Sequence, residues 1–240
     1  MERIVIITGG SRGIGKATSI ELAKQGYFVC INYVANSAAA KLVEEHIKKE
    51  GGKAISIKAD ISVEKDVLKL FEQVDQLEGT LFGLVNNAAV LADPSSLINM
   101  TAERIRKTFE INVFGTFLCC REAVKRMKNG GSLVNISSAA SKTGGSNEYL
   151  DYASTKGAID TFTIGLAKEV ADQNIRVNAI RPGFIETDIH KIPNKLEKVK
   201  SIIPMKRIGQ PIEIAKAVAW LMTDDSNYTT GAIIDIAGGK

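Results

Sequence analysis

The chain has 240 residues, 45% hydrophobic and 24% charged, with a formal net charge of +4, the balance of a globular protein with one large core or two small ones. Its basic residues are dispersed, and the densest run, Lys195–Lys200, is interrupted by a glutamate, which speaks against a nucleic-acid surface. No apolar run approaches the roughly 18 residues of a membrane span, the opening MERIVIITGG is too short for a signal peptide, and three cysteines without CxxC spacing suggest neither a disulfide framework nor a zinc site but a reduced, cytoplasmic setting.

Short β-branched runs alternate with longer helical patterns along the chain. Ile4–Thr8 reads as a strand and Lys16–Gln25 as a helix that stops near Gly26. Phe28–Tyr33 is a second strand, and Ala38–Glu50 a helix ended by Gly51-Gly52. The alternation continues through Ala54–Lys58 (strand), Val63–Leu77 (helix), Leu81–Val85 (strand) and a long helix from Ala102 to Met127. Ser132–Ser137 is a strand, Tyr152–Asp172 a helix, Arg176–Ile180 a strand, Ile212–Leu221 a helix and Ala232–Ile236 the last strand. Continuous apolar strands between helices predict βαβ units, a parallel sheet buried on both faces, and an α/β doubly wound architecture. No linker or repeat divides the chain, so residues 1–240 are expected to form one domain. Between Arg181 and Gln210 neither period is clear, and Pro182, Pro193 and Pro204 punctuate the segment; residues 184–205 are the expected lid over a binding site.

The first strand runs into Thr8-Gly9-Gly10-Ser11-Arg12-Gly13-Ile14-Gly15 and then a helix. Glycines there permit a tight turn and close approach of backbone to a phosphate, and the helix start offers free N–H groups and a positive dipole end. The spacing, Gly9-x-x-x-Gly13-x-Gly15, departs from the usual dinucleotide fingerprint, but its place after strand one is the one such a site requires. An NAD-selective site places an acid after the second strand to hold the ribose hydroxyls. Here that region reads Cys30-Ile31-Asn32-Tyr33-Val34-Ala35-Asn36-Ser37, without an acid. A 2′-phosphate would meet no carboxylate, and Arg12, Asn36 and Ser37 would supply charge and hydrogen bonds. NADP is therefore the expected cofactor, with NAD second.

The ordered landmarks TGGSRGIG (Thr8–Gly15), Asp60, NNAA (Asn86–Ala89), Asn112, ISS (Ile136–Ser138), YASTK (Tyr152–Lys156), RPG (Arg181–Gly183) and IETD (Ile185–Asp188) together resemble the short-chain dehydrogenase/reductase family over essentially the whole chain, closest to its 3-oxoacyl-carrier-protein reductase and sugar dehydrogenase branch. The resemblance implies a Rossmann-type domain that transfers hydride between nicotinamide and a carbonyl or secondary alcohol, without a metal. By resemblance, Tyr152 is the acid/base, Lys156 lowers its pKa and holds the nicotinamide ribose, Ser138 holds the substrate oxygen, and Asn112 positions a relay water. It also implies contacts from Gly9, Ser11, Gly13, Ile14, Gly15, Asp60, Ile61, Asn86, Ala88, Pro182, Gly183, Ile185 and Thr187 to the cofactor, and a homotetramer. Ala89 stands where a glycine is usual.

Chemistry gives reasons for these residue types. Hydride addition puts negative charge on a carbonyl oxygen, which then needs a proton. A phenol, with an unperturbed pKa near ~10, is a reluctant donor at neutral pH, and a lysine charge one turn away favours the phenolate. Of the five tyrosines only Tyr152 has a lysine at i+4. Tyr149, three residues earlier, is either a wall of the substrate pocket or a loop aromatic over the core edge. Ser137 competes with Ser138 for the oxygen-binding role. Ser138 and Tyr152 lie fourteen positions apart, one more than is common in the family, as a one-residue insertion would give. Asp60 either contacts the adenine or caps the following helix. His46 and His190 fit no metal or nucleophile pattern. The alternative to an enzyme is a dinucleotide-binding redox sensor, which would have no need of a lysine-activated phenol.

Overall fold

In the computed structural model, which describes residues 2–187 and 196–239, with no side-chain account of 196–198, seven strands form one sheet in the order β3-β2-β1-β4-β5-β6-β7, all paired in parallel. The strands are β1 (Arg3–Ile7), β2 (Phe28–Tyr33), β3 (Lys53–Lys58), β4 (Thr80–Asn86), β5 (Gly131–Ile136), β6 (Ile175–Pro182) and β7 (Ile233–Ile236). The helices are α1 (Gly13–Lys24), α2 (Ser37–Lys49), α3 (Glu64–Asp75), α4 (Ala102–Phe109), α5 (Gly115–Arg126), α6 (Ala140–Thr143), α7 (Leu150–Glu169), α8 (Leu196–Ile202) and α9 (Pro211–Met222).

Strand periodicity explains the layering. In β1, Ile4 and Ile6 pack into one core with Val67, Leu70 and Phe71 of α3 and Cys119 and Ala123 of α5. Val5 and Ile7 pack into the other, with Leu22 of α1, Val43 and Ile47 of α2, and Ile214 and Val218 of α9. A strand whose alternate residues are both apolar has two faces to bury, and helices on each side provide for that. All three cysteines are free and buried. Burial pushes the Cys30 and Cys120 thiols up to about 12, and Cys119 in the same direction. No described helix is long and apolar enough to cross a membrane.

The long helix expected over Ala102–Met127 is helical throughout but not uniform: Glu110–Phe114 is a π-helical turn between α4 and α5. Such wide turns concentrate at functional sites, and this one contains Asn112. The expected lid is not structureless either, because α8 forms at its C-terminal end; with three prolines and mixed charge nearby, its seven residues, about two turns, give no clear period. Residues 188–195 of that lid, including His190, lie outside the described residues.

The parallel register brings every β-to-α loop to the carboxyl edge of the sheet, where folds of this class bind ligands. Strand order reverses between β1 and β4, so the loops after those two strands diverge and leave a crevice.

Candidate active site

A cleft of ≈ 790 Å³ runs along that edge, lined at one end by Gly9, Ser11, Arg12, Gly13, Asn36 and Asp60 and at the other by Ser138, Tyr149, Tyr152, Lys156 and Phe184. The glycine turn is held from three directions. Gly9 N–H donates to Asn32 Oδ1 (3.3 Å), while Asn32 Nδ2 donates to Ala59 O (2.9 Å), which ties the loop to β2 and to the loop after β3. Thr8 Oγ1 accepts from Asn87 N and Ala88 N, both at 3.0 Å. Ser19 of α1 reaches back to Gly10 O at 3.1 Å.

Gly9 and Gly13 have φ of 62° and 49°, the left-handed region that glycine reaches without a Cβ penalty. A Cβ on Gly13 would also lie 3.1 Å from Thr187 Cγ2, so its bareness shapes the cleft. The first turn of α1 has no capping side chain and no acid; its amides face the cleft with a partial positive charge. Tyr33, Val34, Ala35 and Asn36, after or at the end of β2, line the same end. A bare turn, an uncapped helix start and an acid-free β2 terminus fit a dinucleotide with an added phosphate.

The other end of the cleft lies on β5 and α7. Lys156 is buried, at 3% exposure; its Nζ donates to Ile136 O at 2.7 Å and sits 5.6 Å from the centre of the Tyr152 ring. Burial lowers its pKa from 10.5 to about 8, partly opposed by Asp160 one turn further along α7. Burial raises the Tyr152 phenol, and a hydrogen bond with Ser138 acts the other way. Ser138 Oγ also accepts Ala140 N at 3.1 Å. Ser137 is turned away from this work, its hydroxyl donating to Lys156 O at 3.2 Å. Of the two competing serines, Ser138 is the one whose side chain meets the phenol.

Most of the expected residues share this cleft: Ile14, Ile61, Ala88, Pro182, Gly183, Ile185 and Thr187 line it as well. Four do not. Gly15 lies beneath the turn, where a Cβ would come 2.2 Å from Gly9 O; its role is to let α1 start so close to the loop. Ser37 begins α2 on the exposed side, and it is Asn36 that caps the helix, accepting Ala39 N at 2.9 Å. Asn86 points into the sheet, donating to Asn135 Oδ1 (2.9 Å) and Cys120 Sγ (3.1 Å); the next residue, Asn87, lines the cleft instead.

Asn112 lies behind the wall. Its amide accepts Val90 N at 2.8 Å and donates to Val90 O (3.0 Å) and Thr155 Oγ1 (3.2 Å), so it clasps the loop after β4 to α7 at the level of the Tyr152–Lys156 turn. Asp60 does not cap the following helix. It lines the cleft, and its Oδ1 accepts Ser62 N (2.9 Å) and Ser62 Oγ (2.6 Å), while the cap of α3 is Val63. Tyr149 lines the substrate end, which favours the pocket-wall reading. Leu91, Phe184 and Val199 also line it; Phe184 and Val199 fall within the expected lid, whereas no motif marked Leu91.

A family model described as Enoyl-(Acyl carrier protein) reductase matches residues 9–240. The chain is 53% identical to the uncharacterized oxidoreductase YgfF of Escherichia coli (strain K12), over 99% of both chains. A solved variant of a Serratia marcescens short-chain dehydrogenase/reductase superposes with a TM-score of 0.95 at 31% identity, covering 99% of this chain and 97% of that one. A blue fluorescent protein from a metagenomic library, solved in complex with NADPH, gives 0.94 at 30% identity with the same coverage. A Rossmann-type sheet with a bare glycine turn at one end of the cleft and a serine-bonded tyrosine above a lysine at the other defines a nicotinamide-dependent oxidoreductase. The chain belongs to the short-chain dehydrogenase/reductase family.

Proposed function

We propose that the protein is an NADP(H)-dependent carbonyl reductase and secondary-alcohol dehydrogenase in which Tyr152 is the acid/base. The observation that carries this reading is the convergence of Ser138, Tyr152 and Lys156 on one wall of the cleft, with Lys156 Nζ 5.6 Å from the centre of the Tyr152 ring, in a cleft continuous with the Gly9–Gly13 turn. NADPH in the related blue fluorescent protein and the acid-free end of β2 favour NADP over NAD. When bound, the cofactor supplies the hydride.

The chain's residues supply the rest. Gly9, Ser11, Arg12, Gly13 and Ile14 would hold the phosphates, Asn36 the 2′-phosphate, Asp60, Ile61 and Ala88 the adenosine and ribose, and Pro182, Gly183, Ile185 and Thr187 the nicotinamide end. Ser138 Oγ donates to the substrate oxygen, fixing it beside the Tyr152 hydroxyl. In reduction, Tyr152 gives its proton to that oxygen as negative charge develops, and in oxidation the phenolate takes it back. With Lys156 titrating near 8, its ammonium is retained at neutral pH and stabilises the phenolate. Asn112 holds Val90 and Thr155 in place, and its water-relay role would be exercised from behind the wall. We assign the protein to the cytoplasm and to a homotetramer, the latter in keeping with the apolar side chains left exposed on the long helices, Phe109, Phe114, Phe117 and Ile164.

The test is absorbance of NADPH with a carbonyl panel, alongside a direct cofactor-binding titration. Turnover of at least one carbonyl supports the reading; tight NADPH binding without turnover of any substrate would indicate a redox sensor instead.

A further inference from the structure

We propose that the substrate end of this cleft takes a neutral, largely apolar carbonyl compound, and that Glu148 at its rim disfavours anionic acyl substrates. The inference rests on the reductase assignment and specifies its substrate.

The walls come from the loops after β4, β5 and β6 and from α8: Val90, Leu91, Ala140, Phe184, Val199 and Ile202. Ile202 is 53% exposed, an apolar cost that a bound apolar group would relieve. Beyond Ser138, Tyr152 and Lys156, the polar side chains described at this end are Thr143, Glu148, Tyr149 and Ser137, whose hydroxyl is already given to Lys156 O. A sugar carries a hydroxyl on nearly every carbon, and burying these against an apolar wall would leave most without partners. A ring ketone needs only the oxygen-binding pair at Ser138 and Tyr152.

Charge points the same way. Among the described residues, the cations on the cleft wall are Arg12 at the glycine turn and Lys156 beneath Tyr152, both assigned to the cofactor and the phenol. Glu148 is held by its backbone, with its N–H donating to Gly145 O (3.1 Å) and its carbonyl accepting Ser95 N (2.9 Å), so its exposed carboxylate is carried at the rim by a fixed main chain. Asp93 adds a second negative charge near Tyr149. Among the described residues, the cation acting on Tyr149 is Arg104, which is engaged with Asp151 at 2.8 Å and Asp93 O at 2.6 Å. An anionic acyl chain would approach two carboxylates with no free counter-charge among these groups.

The experiment compares kcat/KM within each direction: α-tetralone against acetoacetyl-CoA with NADPH, and α-tetralol against glucose with NADP. In each reaction one hydride passes between nicotinamide and the carbonyl carbon and one proton between Tyr152 and the oxygen. The neutral bicyclic substrate is expected to lead by at least about tenfold in both pairs, and Glu148→Lys to raise the acetoacetyl-CoA to α-tetralone ratio by about tenfold. Equal or better turnover of glucose or acetoacetyl-CoA by the unaltered protein overturns the inference and leaves the reductase assignment standing. An unmoved ratio in Glu148→Lys, in protein with unchanged melting temperature, removes Glu148 from it. Absence of turnover with all four and with a wider carbonyl panel would instead overturn the reductase assignment.

Discussion

Lys156 Nζ lies 5.6 Å from the centre of the Tyr152 ring and donates at 2.7 Å to Ile136 O, the last residue of β5. The lysine is thus anchored to the strand that leads into Ser138, while its charge lies against the helix that carries the phenol. Hydroxyl, phenol and ammonium are positioned by one strand–helix junction, which is the kind of preorganisation that acid–base chemistry needs.

Replacing Tyr152 with Phe keeps the ring and removes the proton. Turnover should fall about 10²–10⁴-fold, while NADPH affinity in a fluorescence titration should stay within about threefold. Loss of both would contradict the role assigned to the hydroxyl.

The lowered pKa of Lys156 has a cost for the ligand-free fold. A lysine whose folded pKa is about 8 instead of 10.5 binds its proton more weakly in the folded than in the unfolded chain. It therefore destabilises the fold below pH 8, and the penalty fades as pH rises from 8 to 10.5. At roughly 1.4 kcal/mol per pKa unit, the full penalty is about 3 kcal/mol. Lys156→Met should melt higher than the parent at pH 7, with the gap closing towards pH 10.5, and should lose turnover. Thermal melts across that range read both trends.

Cofactor preference should respond to one acid at the end of β2. Tyr33→Asp introduces a carboxylate at the end of β2, where residues 30–37 now have none, and NADPH affinity should fall about tenfold or more relative to NADH. Parallel titrations with the two cofactors measure the ratio; an unchanged ratio places the 2′-phosphate elsewhere.

Gly15→Ala tests the turn. Its Cβ would stand 2.2 Å from Gly9 O and 2.6 Å from Asn87 Nδ2, so either the loop or the start of α1 must move. Overpacking of this kind costs about 1–3 kcal/mol, and chemical denaturation should show it together with weaker NADPH binding. Normal stability and affinity would show that the turn has slack.

The fold was largely legible because a doubly wound sheet writes two strong periods into its sequence: apolar runs such as Ile4–Ile7 and helices ended by Gly26 or Gly51. The candidate site was legible where its proposed chemistry depends on residue type at fixed spacing, as for Tyr152 with Lys156 and for the glycine turn, which line one cleft. It was less so where direction decides. Asn86 and Asn87 are identical in type and adjacent, yet strand alternation sends the first into the sheet and the second to the cleft. The π turn at Asn112 widens one turn of an otherwise continuous helical segment, and no glycine or proline lies within Glu110–Phe114 to mark it in the sequence. The Ser62 contacts of Asp60 depend on a loop path that composition does not record.

The three thiols offer a use of the core beyond holding the sheet together. Cys30, Cys119 and Cys120 are buried free thiols, protonated by their surroundings and out of reach of a bulky aromatic disulfide reagent. The native protein should show almost no reaction on mixing, and all three thiols should react once guanidinium opens it. The labelling rate under native conditions then becomes a clock for spontaneous opening of the chain. NADPH should slow that clock in proportion to how tightly it binds, so three inert side chains become a reporter of occupancy at a site they never touch.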